Sequence, residues 1–93
     1  MYDNKTVVTA AGKVFDQYDL PDGVTSIHSN DDHIEIFYRL GEWDFPEMEQ
    51  ICKALDVWKT ESGTQYVAHK TLQIEDVTVK VWAQIPKGAY IDD

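Results

Sequence analysis

The densest group of polar donors in the chain is His28-Ser29-Asn30-Asp31-Asp32-His33, with two imidazoles and two carboxylates in one short stretch. Imidazole nitrogen and carboxylate oxygen together suit a divalent transition metal. The same composition suits a tight reversal, because Asn and Asp side chains bond their own backbone two residues on. Asn30-Asp31-Asp32 predicts the reversal. It puts His28 and His33 on facing strands beside a turn, and no metal or cofactor is assigned. The sequence contains no HExxH, no EF-hand loop and no Cys/His zinc spacing.

Nucleophiles offer little more. Cys52 falls on the apolar stripe of a helical pattern, where a thiol is inert unless a cation or helix N-terminus lowers its pKa. Ser26, Ser29 and Ser62 lack a GxSxG elbow, and the five glycines are isolated, so no loop cradles phosphate. His69 lies in the middle of a strand pattern with no pocket implied around it. Glu75-Asp76 reads as a turn and Asp92-Asp93 as a solvated tail. A chain of 93 residues also leaves little room for a catalytic cleft. The expectation is a protein without enzymatic activity.

Charge is the more informative property. Acidic residues outnumber basic ones 17 to 8, a net charge of −9. That balance argues against direct nucleic-acid binding through a basic patch and against anionic membrane surfaces. The excess is concentrated in the first half, where nine acids up to Asp44 face only Lys5, Lys13 and Arg39. Asp16, Asp19, Asp22, Asp31, Asp32 and Glu35 are the candidate partner-binding carboxylates.

The elements that carry these residues follow from periodicity. Val7, Ala11, Val14 and Tyr18 recur at helical spacing behind Asp3 or Asn4, predicting a first helix over 5–18. Gly12 weakens that prediction, and a hairpin of Thr6–Ala10 against Lys13–Tyr18 is the alternative. Pro21-Asp22-Gly23 is a turn. Val24–Ser29 and the alternating run His33–Leu40 then form a hairpin. Asp44-Phe45-Pro46-Glu47 starts a second helix, with Asp44 as cap and Glu47 reaching back to the Asp44 amide. Met48, Ile51, Cys52, Leu55 and Trp58 place its apolar stripe over 45–58. A second hairpin pairs Gln65–Ile74 with Val77–Ile85 across Glu75-Asp76.

These elements predict one acidic α+β domain over 1–93, in the order α-β-β-α-β-β. It would be a two-layer sandwich: a four-stranded antiparallel sheet of two hairpins with two helices on one face. Ile, Leu, Val and Phe make up about a quarter of the chain, above the roughly 20% level typical of disordered chains. The first 13 residues hold no apolar run of signal-peptide length, and no stretch approaches the ~18–20 apolar residues of a membrane span. With a single cysteine and no internal disulfide, the expected location is cytoplasmic.

With the apolar faces of both hairpins under the helices, the opposite face would carry Glu35, Phe37, Arg39, His69, Thr71, Lys80, Trp82, Gln84 and Val67. Aromatic residues and Arg among weakly charged neighbours are enriched in interface cores. Phe37, Arg39, Trp82 and, from the connection before the second helix, Trp43 therefore form a second candidate contact set. In size and acidity the chain resembles the small proteins that bacteriophages and other mobile elements direct against host enzymes, including restriction and CRISPR inhibitors. That likeness implies an inhibitor or adaptor that docks on a basic, nucleic-acid-binding protein. The alternative is a small structural protein that dimerises through the aromatic sheet face.

Overall fold

The computed structural model describes residues 2–90. Its first helix, α1 (Asn4–Gln17), is capped by Asp3, whose Oδ1 accepts the Thr6 N–H at 2.8 Å. The apolar spacing decides its orientation: Ala10, Ala11 and Val14 are buried along one stripe. Gly12 is exposed, so its missing side chain takes nothing from the core, and the alternative hairpin over this segment does not form.

Two further strands, β1 (Ser26–Ser29) and β2 (Ile34–Arg39), form the expected antiparallel hairpin. The second helix, α2 (Phe45–Leu55), buries Met48, Ile51 and Leu55. Its N-terminus departs from the expected capping box. Asp44 Oδ2 accepts the Gly41 N–H at 2.7 Å instead of a first-turn amide, and Glu47 does not bond the Asp44 amide. The carboxylate closes the loop ahead of the helix rather than capping the helix itself.

The helix also stops three residues short of the expected end. Asp56 adopts a left-handed backbone (φ 56°, ψ 52°) and its N–H bonds the last-turn carbonyls of Cys52 and Lys53. Trp58 is thereby swung off the apolar stripe and is 91% exposed. The released chain forms a strand absent from the sequence reading, β3 (Thr60–Ser62), which turns at Gly63 (φ 61°) into β4 (Gln65–Ile74). A positive φ at the turn is what a two-residue hairpin connection asks of glycine. The chain ends in β5 (Val77–Pro86) and a short 3-10 turn, Lys87–Tyr90.

The sheet therefore has five strands in the order β1-β2-β5-β4-β3, and it is mixed: β2 and β5 run parallel. This corrects the expected four-stranded antiparallel sheet. A parallel pair needs a long crossover, and α2 with the β3–β4 hairpin supplies one. The two most apolar strands meet at the centre, where Ile34, Ile36 and Tyr38 of β2 lie beside Val79, Val81 and Ala83 of β5, all fully buried. Both helices contribute to one core cluster with these residues, so the helical layer covers a single face of the sheet. The Tyr38 hydroxyl, inside that layer, donates to the Pro21 carbonyl at 2.6 Å. Burial, with Asp22 nearby, pushes its pKa to about 12, so it remains a donor and fixes the loop between α1 and β1.

Candidate functional site

Pairing register decides what the opposite face of the sheet presents, because residues directly opposite one another share a face. Ser26, Phe37, Trp82 and His69 form one transverse row across β1, β2, β5 and β4. His28, Glu35, Lys80 and Thr71 form the row on one side of it. Arg39, Gln84, Val67 and Thr60 form the row on the other. All nine residues expected on this face lie on it. Within the central row the His69 and Trp82 rings stack at 4.6 Å with an interplanar angle of 28°. The Arg39 guanidinium lies 5.8 Å from the centroid of the Phe37 ring.

Trp43 stands apart from this row. It is 87% exposed in the β2–α2 connection and makes no ring contact with Phe37 or Trp82. Phe45, two residues on, packs edge-on against Tyr90, which packs in turn against Tyr66. This second aromatic group was not anticipated from sequence, since the three rings come from three separate elements. Lys59 lies 4.5 Å above the Tyr90 ring, and Glu49 Oε2 accepts both the Tyr90 hydroxyl at 2.7 Å and the Lys59 ammonium at 3.3 Å. Burial first, then the Glu49 carboxylate, holds the Tyr90 phenol well above its usual pKa.

The six candidate carboxylates divide into two groups. Asp16, Asp19 and Asp22 are exposed around the C-terminus of α1 and the loop that follows. That loop is held by Gln50 Nε2 donating to the Asp19 carbonyl at 3.0 Å and by the Tyr38–Pro21 bond. Asp31 and Asp32 sit in the β1–β2 turn, with Glu35 beside them on β2. The Tyr2 hydroxyl reaches the Asp32 carbonyl at 3.4 Å, so this turn lies near the N-terminal end of α1. A helix of 14 residues is about 21 Å long, and that length separates the two groups.

Their chemistry differs too. Asp16, Asp19 and Asp22 make no ion pair among the described residues. Asp32 and Glu35 are engaged by His33, whose Nδ1 lies 2.7 Å from Asp32 Oδ1 and whose Nε2 lies 2.9 Å from Glu35 Oε1. Bonds to Glu35 and then Asp32 raise the pKa of His33, and the same contact lowers that of Asp32. Asn30 Nδ2 donates to Glu35 Oε1 at 3.4 Å, completing a closed polar turn. The reversal reading of this stretch holds, and His28 and His33 do not converge: His28 pairs across the strands with Glu35 on the sheet face. Among the described residues no group of three or more His, Cys, Asp or Glu is placed to hold a metal ion.

Cys52 is half-buried, and burial followed by the Glu49 charge raises its pKa, the opposite of what a thiolate nucleophile requires. It borders an open groove of about 260 Å³ with Glu49, Lys53 and Trp58. A groove of about 250 Å³ between α1 and the β4–β5 turn is crossed by the Lys13–Glu75 ion pair at 2.7 Å. Both are smaller than the roughly 300–1,000 Å³ of small-molecule sites. No helix among the described residues is long and apolar enough to cross a membrane. Comparison with protein-family models, curated proteins and solved structures finds no match to this chain.

Proposed function

We propose that this chain is a non-enzymatic protein-binding module, an inhibitor or adaptor, that docks on a basic protein through its acidic surface. The supporting observation is the state of Asp16, in the last turn of α1, and of Asp19 and Asp22, on the following loop whose backbone is fixed at Asp19 and Pro21: all three are exposed and make no ion pair among the described residues. Carboxylates on a fixed backbone and without an ion-pair partner among the described residues retain their attraction for an approaching cation, and the backbone that carries them need not be ordered on binding. Duplex DNA carries one charge per about 1.7 Å, so a lysine- and arginine-rich site built for phosphate is the partner chemistry such a surface fits. In this reading the chain occupies that site in place of nucleic acid, as an inhibitor carried by a mobile element would.

The test starts from affinity capture of a basic partner and then asks what the binding depends on. Association should slow steeply with rising salt and should compete with the partner's nucleic acid. Changing Asp16, Asp19 and Asp22 to Asn should weaken binding by about tenfold, at several tenths of a kcal/mol per exposed charge, with no fall in the thermal midpoint. Binding that ignores both salt and the triple substitution would leave these carboxylates as a solvating surface only.

A further inference from the structure

We propose that the sheet face opposite the helices receives a second copy of this chain, forming a two-fold dimer centred on the Phe37–Trp82–His69 row. The proposal does not depend on the docking reading. Like-charge repulsion decides where two copies of net charge −9 can approach each other. Among the described strand residues the sheet face carries Arg39 and Lys80 against a single carboxylate, Glu35, with His28 and His69 as its other polar rings, while Asp32 of the adjoining turn interacts with Lys80. It is thus a locally non-acidic surface on an acidic molecule. A basic partner would meet Arg39 and Lys80 there, which makes a second copy the better match.

Symmetry strengthens the case. Glu35 and Arg39 flank Phe37 on β2, two residues to either side, and both belong to the outer face. A two-fold axis along the central row reverses strand direction between copies. Arg39 of each copy then lies over Glu35 of the other, giving two crossed charge pairs. Phe37 and Trp82 of both copies meet along the axis, where aromatic residues contribute most to an interface.

The area is sufficient, though small. Strands of four, six, three, ten and ten residues, at about 3.3 Å per residue and about 4.8 Å between strands, present about 500 Å². Two such faces bury about 1,000 Å² in total, the lower limit for a specific interface, so the dimer is weak, with a dissociation constant on the order of 100 µM.

Sedimentation equilibrium on the full chain, from about 10 µM to about 1 mM, brackets that constant. The average mass should rise from 10.7 kDa toward twice that value across the range. Trp82→Ala, Arg39→Glu and Glu35→Arg should each weaken dimerisation at least fivefold, and circular dichroism should show that each remains folded. An equimolar mixture of Arg39→Glu and Glu35→Arg should associate more tightly than either variant alone, because both crossed pairs become complementary. Glu35→Arg separates this account from a general charge effect. It makes the chain less acidic, so if net repulsion alone governed association it would tighten the dimer, whereas the crossed pairing requires it to loosen. A monomer at every concentration, or a mixture no tighter than its components, would overturn the proposal. So would a dimer indifferent to Arg39→Glu and Trp82→Ala.

Discussion

Both ring nitrogens of His33 face a carboxylate oxygen, and an imidazole can donate from both only when it is doubly protonated. This gives the β1–β2 turn a pH dependence of definite sign. The folded-state pKa of His33 is raised above the ordinary 6.5. Its contribution to stability is therefore fully present below that value and is lost as pH rises through the folded pKa. Asp32 acts in the opposite sense: its pKa is lowered from 3.8, so its contribution is present above that value and lost as pH falls through the folded one. The pair is strongest between those two ordinary values. The thermal midpoint should decline between pH 6 and pH 9, and His33→Gln should flatten the decline. An identical slope in that variant would show that His33 is not the group responsible. The Asn-Asp-Asp composition made the turn legible in sequence. The engagement of Asp32 and Glu35 by His33 was not legible, because short-range side-chain geometry depends on how the turn closes.

At the scale of elements, the two helices give the sharpest energetic tests. Gly12 lies inside α1 and is exposed, and a methyl group added there meets nothing within 4 Å. Gly12→Ala should stabilise the protein by about 0.5–1 kcal/mol, seen as a higher midpoint in thermal or urea unfolding. Leu55 is the counterpart: it is 1% exposed at the end of the α2 stripe. Leu55→Ala should cost about 2–5 kcal/mol, a large share of the roughly 5–15 kcal/mol that domains possess. A midpoint unchanged by that substitution would mean that α2 does not bury this stripe. Periodicity revealed both helices and four of the strands because each buries a face over several turns or alternations. The three residues of β3 are all exposed, so they carry no apolar alternation to be read. Nor does a local pattern encode that β2 pairs with β5. That pairing follows from the burial of the two most apolar strands together at the centre of the sheet.

At the scale of the whole molecule, two electrostatic effects respond to salt in opposite directions. Screening weakens the ion pairs Lys13–Glu75, Lys59–Glu49 and Lys87–Glu61, each of which has at least one well-exposed partner. It also weakens the mutual repulsion of 17 acids facing 8 bases. Exposed pairs of this kind contribute only about 0–1 kcal/mol each. The repulsion acts among many more groups, and among the described residues Asp16, Asp19 and Asp22 have no cation paired with them to offset it. The principal extents of 46 × 23 × 19 Å spread those charges, but 19 and 23 Å are only about two Debye lengths at 0.1 M salt, so charges across the short axes still interact at lower ionic strength. Repulsion therefore wins. Raising sodium chloride from about 10 mM to about 200 mM should increase the thermal midpoint, since screening relieves repulsion in the folded state more than in the expanded chain. The Asp16, Asp19 and Asp22 to Asn variant should start from a higher midpoint at low salt and gain less from added salt. A midpoint that falls as salt rises would mean that the ion pairs outweigh the repulsion. The acidic surface would then be neutralised within the fold, with little charge left to offer a basic partner.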